Sequence, residues 1–193
     1  MDFKTAVNWT TLDLRSAAWH LLVNRLAGSF CTPRIVRYLI YRLAGLDVQT
    51  PSLMPGLYFH SRRVSLGRGT FVNLGCRFYG SKAPIQVGDN VQVGMNVTFV
   101  SDSHELGPPQ RRAGELVSLP VRVGNGCWIG ANALILPGVD IGSGCVIAAG
   151  AVVTKSCQPN GVYAGVPARR VKDLEDVADA QSQAELLSMP ISS

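Results

Sequence analysis

Charged residues are scarce in this chain, and several patterns that carry familiar chemistry are missing. Asp, Glu, Lys and Arg together make up 16% of the 193 residues, and only three histidines are present, His20, His60 and His104. None of the five cysteines falls in a C-x-x-C pair, so neither a zinc ribbon nor a thioredoxin-type site is indicated, and we expect no metal. No run of Lys and Arg is interleaved with aromatic residues, so we expect no nucleic-acid partner.

Long apolar segments are missing as well. The most apolar stretch, residues 35–46, is interrupted by Arg37 and Arg42 and is too short to span a bilayer. Residues 1–11 lack the features of a signal peptide, so we expect a cytoplasmic protein. The 47% content of hydrophobic residues predicts one domain with a sizeable core, and the net charge of +5 modestly favours anionic ligands.

Residues 1–50 predict two short helices. Apolar residues recur at helical spacing, Gly28 ends the first helix, Pro33 opens the second and Gly45 closes it. Several arginines decorate both helices. Either they are solvated on helices that pack against the main domain, or they form a basic amphipathic face in weak contact with a membrane surface, which would place the protein at the inner membrane. The periodic residues of the first helix are Leu12, Leu14, Ala18, Leu21, Leu22 and Leu26.

A six-residue rhythm begins near residue 64 and is clearest over residues 123–152, which read VGNGCW, IGANAL, ILPGVD, IGSGCV and IAAGAV. Such fixed-period similarity indicates stacked repeats. Six is not a helical period, but a short strand followed by a tight turn fits it. The aliphatic first position and the small fifth position are expected to point inward, and the glycine at the second position is expected to let the backbone turn.

Three such sides would close a triangular coil of 18 residues, and successive coils would stack as parallel strands about 4.8 Å apart. This arrangement predicts which side chains lie above one another. The predicted pairs are Val123 over Ile141, Ile129 over Ile147, and Ile135 over Val153.

The same stacking places Cys127 against Cys145. Distance alone does not exclude a disulfide there, but parallel side chains and a reducing compartment argue against one. We interpret Cys76, Cys127, Cys145 and Cys157 as small core residues with raised thiol pKa values, not as nucleophiles.

The rhythm stops between Ser101 and Pro120, where two prolines, two arginines and His104 interrupt it. Long loops in compact domains are usually functional, and the flat walls of a coil offer no cleft of their own. The segment therefore predicts a protruding loop that builds a site. Residues 173–193, after the repeats, predict a tail or one helix.

The repeats, the loop with His104, and the segments VVTK (residues 152–155) and PNGVYAGVPAR (residues 159–169) resemble the hexapeptide-repeat O-acetyltransferases of the galactoside and maltose group. The resemblance covers residues 66–172, and the first 60 residues are closer to polysaccharide-modifying relatives. It implies an all-β core, a left-handed parallel β-helix with a short helical N-terminal region, and a homotrimer. The expected division is a helical segment over 1–50, the β-helix over 51–172 with its loop at 101–120, and the tail.

The resemblance implies direct transfer of an acetyl group from acetyl-CoA to a hydroxyl of a sugar or glycoconjugate. His104 would be the general base, in a pocket shared with a neighbouring subunit. Glu115, which follows a glycine as in the family, is our choice to hold the other ring nitrogen. Asp102 and Glu105 are rivals for that role because they are closer in sequence.

Further roles are carried over by the same motifs. Asn73 would touch the acceptor hydroxyl, although the family's carboxylate eight residues later has no counterpart in FYGSKA, so the acceptor is expected to differ from a simple sugar. The residues that would bind acetyl-CoA include an alanine at 131 where the family often has serine. They are Ala131, Ala149, Thr154 and Lys155 along the pantetheine and nucleotide, with Arg169 and Lys172 at the phosphates.

Other functions on this fold stay open to different degrees. The zinc-dependent carbonic anhydrase type needs three histidine ligands, and only His104 lies within the repeats. Serine acetyltransferases carry a larger helical N-terminal domain. An antibiotic-inactivating acetyltransferase and a non-catalytic trimeric scaffold are the remaining alternatives.

Overall fold

Three parallel sheets wind around one another into a β-helix in the computed structural model, which describes residues 13–174. The sheets are numbered in the order in which a complete coil passes through them. Sheet 1 contains β1 (Asp47–Val48), β3 (Val64–Leu66), β6 (Ile85–Val87), β11 (Val121–Val123) and β14 (Asp140–Ile141). Sheet 2 contains β4 (Phe71–Val72), β7 (Gln92–Val93), β12 (Trp128–Ile129), β15 (Val146–Ile147), β17 (Gly161–Ala164) and β18 (Arg169–Asp173). Sheet 3 contains β2 (Tyr58–Phe59), β5 (Arg77–Tyr79), β8 (Thr98–Val100), β13 (Leu134–Ile135) and β16 (Val152–Val153).

The predicted stacking is confirmed strand by strand. The pairs in register are Val123 with Ile141 in sheet 1, Ile129 with Ile147 in sheet 2, and Ile135 with Val153 in sheet 3. Both the first and the fifth positions of the repeat are buried, so the aliphatic and small side chains fill the prism as predicted. Among the strands of the three sheets within residues 13–174, β18 alone runs antiparallel to its neighbour, because it folds back on β17.

The turn glycines were assigned to the wrong position of the repeat. The left-handed backbone lies at the fourth position, as in Gly126 (φ +68°) and Asn132 (φ +59°), not at the second. Second-position glycines are needed for a different reason, because the coils approach closely there. A Cβ on Gly124 would lie 2.5 Å from the amide nitrogen of Ser143 in the next coil.

Aromatic and thiol side chains complete the core. Phe59, Phe78 and Phe99 form a stacked column inside sheet 3, with ring centroids 5.0 and 5.1 Å apart. All four cysteines predicted to lie in the core are buried and free, as expected. Burial raises the pKa of Cys127 to about 11 and that of Cys157 to about 12, which keeps these thiols protonated.

Two helices precede the prism, as predicted. Residues 13–19 are helical, and the helix continues as a π-helix over His20–Ala27 with Gly28 at its C-cap. The second helix, Arg34–Leu43, begins after Pro33 and is followed by Gly45 in the left-handed region (φ +88°). Within residues 13–174, no helix combines the length and apolarity needed to cross a membrane.

Arg37 corrects the expectation that the arginines of this region are solvated. Its side chain is 3% exposed and donates to four backbone carbonyls at 2.8–2.9 Å. These carbonyls belong to the end of the first helix, the link between the helices, and the first coil. The guanidinium therefore joins three segments through hydrogen bonds to their carbonyl groups. The four acceptors are Ala27, Ser29, Thr32 and Leu53.

The segment predicted as a loop is a β-hairpin. β9 (Asp102–Leu106) and β10 (Ala113–Ser118) pair antiparallel and form a separate two-stranded sheet, which we call the arm. At the other domain limits, β1 lies just before the predicted boundary at residue 50, and the predicted tail lies almost wholly outside the described residues.

Candidate functional site

The arm leaves the prism at the end of β8 and is fixed at its root. Ser101 is fully buried, and its hydroxyl donates to the carbonyl of Ala83 at 3.1 Å. The carboxylate of Asp102 accepts hydrogen bonds from the Ser81 amide at 2.8 Å and the Ser118 hydroxyl at 2.6 Å. Burial by itself would raise the pKa of Asp102, but these two hydrogen bonds outweigh it and hold the pKa below its ordinary value. The Asp102 carboxylate thus links the root of the arm to Ser81 and Ser118, and we call this set of hydrogen bonds the Asp102 staple.

His104 lies on β9 with its side chain exposed. Its Nδ1 is 3.0 Å from the carbonyl oxygen of Gly114 on the opposite strand. A carbonyl can only accept, so this hydrogen bond requires the proton to be on Nδ1. In the neutral ring, Nε2 is then the unprotonated nitrogen, which is the form that a general base needs.

The group that orients the His104 ring in the structure is a backbone carbonyl, not a side chain. Gly114 immediately precedes Glu115, and among the described residues the group that accepts the hydrogen bond from His104 Nδ1 is the Gly114 carbonyl, not the Glu115 carboxylate. Asp102 is engaged at the root of the arm, and the side chain of Glu105 is exposed. Within residues 13–174, no carboxylate is hydrogen-bonded to the His104 ring, and a role for Glu115 in orienting it stays a prediction.

The predicted acceptor residue and the two groove alanines share one corner of the prism. Asn73, Ala131 and Ala149 each follow a strand of sheet 2. The Asn73 side-chain oxygen accepts from the Leu74 amide at 2.8 Å, so its NH2 group is the part available to a ligand. Ala131 and Ala149 stand in successive coils, linked by the Gly150 amide, which donates to the Ala131 carbonyl at 2.8 Å. Both side chains are single methyl groups, as the predicted groove requires.

The other predicted donor residues lie at the last coils. Thr154 and Lys155 follow β16 of sheet 3, and both are exposed. Lys155 and Arg169 line one pocket of about 280 Å³ near the end of the prism. Lys172 lies further along β18 and is also exposed. Of the two cations predicted to meet the phosphates, Arg169 therefore lines this pocket together with Lys155, which was predicted to lie along the nucleotide.

One chain does not gather all of these residues. Asn73 and the two alanines lie at the corner that follows sheet 2. His104 and Thr154 come after strands of sheet 3 and therefore lie at the next corner. The two corners are separated by the width of a flat sheet. A site that combines them requires a second prism beside the first.

Two features of the structure could not be predicted from the sequence, and they lie at opposite ends of the prism. Arg170 donates to the carbonyls of Pro159 and Asn160 and to the Tyr163 hydroxyl, and it pairs with Asp173. This arginine closes the last coil, and nothing in its sequence context distinguishes it from neighbouring Arg169.

The second feature is a pocket of about 450 Å³ between the first helix and the first coils. Tyr58 lines it, and its ring centroid lies 5.9 Å from that of His20 and 5.0 Å from that of Tyr79. Arg25 and Arg77 also line it. The aromatic residues come from different coils and a helix, so sequence spacing gave no signal for the cluster.

Known proteins share this sequence pattern and architecture. The family model "Bacterial transferase hexapeptide (six repeats)" matches residues 120–155. The galactoside O-acetyltransferase of Escherichia coli K12 is 37% identical over 123 residues, which are 63% of this chain and 60% of that protein. The chain thus spans less than two thirds of the length of this curated relative.

Solved structures match over more of their length. A maltose O-acetyltransferase from Clostridium difficile 630 is 28% identical, with a TM-score of 0.74 over 86% of this chain and 89% of that chain. A galactoside acetyltransferase in complex with coenzyme A is 30% identical, with a TM-score of 0.72 over 86% of this chain and 82% of that chain. Because the repeats, the prism and most of a solved relative's length agree, this chain belongs to the hexapeptide-repeat acetyltransferase family, of the galactoside and maltose type.

Proposed function

We propose that this protein is an acetyl-CoA-dependent O-acetyltransferase that modifies a hydroxyl of a sugar or sugar-containing acceptor. The observation that carries the proposal is the His104 ring on the arm, with Nδ1 bound to the Gly114 carbonyl and Nε2 free to act as a base. The relative solved with coenzyme A supports a CoA thioester as the donor.

The chemistry requires only the imidazole and correct positioning. Nε2 of His104 takes the proton of the acceptor hydroxyl as its oxygen attacks the thioester carbonyl. The C–O bond forms, the C–S bond breaks, and the proton passes from the imidazole to the departing sulfur. No covalent enzyme intermediate is needed, and the raised pKa values of Cys127 and Cys157 make these buried thiols poor nucleophiles.

We further propose a homotrimer of left-handed prisms. The support is the separation described above: Asn73 and the alanine groove lie at one corner of the chain, and His104 lies at the next. Three prisms around a three-fold axis would bring the arm of one subunit to the groove of its neighbour. Lys155 and Arg169 would then meet the phosphates of CoA with charge-assisted hydrogen bonds.

A cytoplasmic location is part of the proposal. The five cysteines are free, including Cys31, which is exposed, and this fits a compartment in which thiols stay reduced.

Release of free CoA thiol across a panel of sugar nucleotides, glycolipids and aminosugars tests the function. With the best acceptor, His104→Ala should lower kcat by about 10²–10⁴-fold while CoA binding, measured by calorimetry, is retained. Ser103→Ala, an exposed neighbour on β9, is the matched control and should keep wild-type turnover. Glu115→Gln belongs in the same series, because only a comparable loss would give the carboxylate a part in holding the ring.

Near-normal turnover by His104→Ala would exclude the proposed base. An absence of CoA binding by the wild-type protein would instead favour the non-catalytic scaffold.

A further inference from the structure

The outward face of the second helix is apolar, which is the reverse of the usual pattern. A helix on the surface of a soluble domain buries its apolar stripe and exposes polar residues. Here the buried positions are Arg37 and Tyr41. Ile35, Leu39 and Leu43 point outward, and 57%, 50% and 87% of their side chains are exposed.

The first helix and the link between the helices extend this surface. Together with the second helix they expose nine large apolar side chains, which we call the helical face. Single exposed apolar residues are ordinary, but a contiguous group marks a surface that is covered in use. The members are Leu14, Leu21, Leu22, Leu26, Phe30, Ile35, Val36, Leu39 and Leu43.

Most of the charges around the helical face are positive, and the exposed Asp13 beside Leu14 is the exception on the first helix. No Asp or Glu occurs between residues 14 and 46, whereas arginines recur through both helices. Apart from Arg37 these arginines are exposed, and they are Arg15, Arg25, Arg34 and Arg42. A second copy of the same surface would bring a mostly positive surface against another one, so self-association through this face is disfavoured.

We propose that the helical face docks on an anionic membrane surface. Apolar side chains on two helices would enter the boundary between headgroups and acyl chains, and the arginines would pair with lipid phosphates. The charge complementarity selects anionic lipid as the occupant. This inference does not depend on acetyl transfer and stands or falls separately from the proposed function.

Docking in this way would orient the prism. The helices pack at the first coils, where the Trp19 indole donates to the Phe59 carbonyl at 2.8 Å. Lys155 and Arg169 lie at the last coils, at the opposite end. The helical end would therefore face the lipid and the proposed donor phosphates would face away from it, with the arm between them.

Cys31 offers a specific probe for this contact. It is exposed and adjoins Phe30 in the link between the helices, while the other four cysteines are buried. A thiol-reactive, polarity-sensitive dye on the full-length protein should therefore report at the helical face. We expect a blue shift with vesicles of phosphatidylglycerol and phosphatidylcholine, little shift with phosphatidylcholine alone, and reversal as salt is raised.

Paired variants separate the apolar from the charged contribution. Leu39→Ser with Leu43→Ser should lower the partition coefficient into anionic vesicles at least about tenfold, because two apolar insertions are lost. Leu106→Ser is the matched control, since this leucine is 91% exposed but lies on the arm. Arg15→Glu with Arg34→Glu should weaken binding by at least about fivefold per charge, whereas Arg122→Glu on sheet 1 should not.

Three results would overturn the proposal. One is no binding to anionic vesicles at low salt. Another is vesicle binding that stays unchanged in the variant with Leu39→Ser and Leu43→Ser, since the apolar residues of the helical face would then not contribute to binding. The third combines two observations: the dye is already blue-shifted without lipid, and the variant with Leu39→Ser and Leu43→Ser has a lower native mass than the wild type. The helical face would then be an interface between copies of this chain.

Discussion

Single residues of the six-residue unit have different tasks, even where the same amino acid occupies two positions. Gly124, at the second position, lies where the next coil comes too close for any Cβ. Gly126, at the fourth position, has open space around it but a left-handed backbone. The first glycine is required by packing and the second by backbone conformation.

Alanine substitutions should separate these two tasks. Gly124→Ala must push the coil of Ser143 away and should cost about 3 kcal/mol of unfolding free energy, at the upper end for overpacking. Gly126→Ala should cost about 1–2 kcal/mol, the usual strain of a left-handed alanine. Urea unfolding at one fixed protein concentration measures both. Equal losses would contradict the division, and Gly126→Asn should be nearly neutral, because Asn132 already occupies the equivalent site.

Arg37 is a buried charged residue whose hydrogen bonds stabilise the packing of the two helices on the first coil. Replacing it by Met removes the guanidinium hydrogen bonds to four carbonyls, of which, within residues 13–174, only that of Ser29 keeps a backbone donor, the Thr32 amide. We therefore expect a loss of about 2–4 kcal/mol in unfolding free energy. Arg34→Met, on the exposed side of the same helix, is the matched control and should change stability by less than about 0.5 kcal/mol. Similar losses in the two variants would mean that the hydrogen bonds of Arg37 contribute little.

At the scale of elements, the arm is the part of the chain that departs from the coil. Its own two strands pair only with each other, so its position depends on the root. Asp102 carries that connection through Ser81 and Ser118. A hairpin held at one end can present His104 away from the flat wall while keeping the ring in a defined orientation.

The Asp102 staple should make the arm sensitive to acid. Because the folded-state pKa of Asp102 is lowered, its contribution to stability is present above the unfolded-state pKa of about 3.9 and is lost as the pH falls through the folded-state value. Asp102→Asn should therefore be less stable than the wild type at pH 7, and the difference should shrink below about pH 4. Urea unfolding at both pH values measures it.

Hydrogen exchange of the β9 and β10 amides should be faster in Asp102→Asn at neutral pH. Glu105→Gln is the control, as it removes an exposed carboxylate from the same strand. A stability difference that stays constant from pH 7 to pH 3 would rule out the Asp102 staple.

At the scale of the whole molecule, the surfaces proposed to act lie at two corners and at one end of the column of coils. The proposed donor groove lies at one corner, the proposed base His104 at another, and the pocket of Lys155 and Arg169 at the last coils. In the proposed trimer, neighbouring prisms would bring the two corners together. The proposed oligomer and the proposed donor site therefore depend on the same arrangement.

Donor binding and assembly can be measured on the intact protein. Light scattering should give three times the chain mass of 20.7 kDa. CoA at 100 times its dissociation constant should add about 2.7 kcal/mol of stability, visible as a rise in Tm. Lys155→Ala with Arg169→Ala should reduce that rise, and Arg122→Ala, a cation on sheet 1, should not. A monomeric mass, or no rise at millimolar CoA, would contradict the composite donor site.

The sequence by itself determined the stacking of the coils, because a period of six with apolar first and small fifth positions directs those side chains inward on each of the three sides. The left-handed winding is implied only by the family resemblance. The sequence also singled out His104, since the hairpin interrupts an otherwise regular pattern. The tertiary structure decided what depends on contacts between distant residues: that Arg37 is buried, that second-position glycines serve coil packing, and that a backbone carbonyl holds His104. These outcomes depend on which atoms meet across coils, and local spacing carries no information about that.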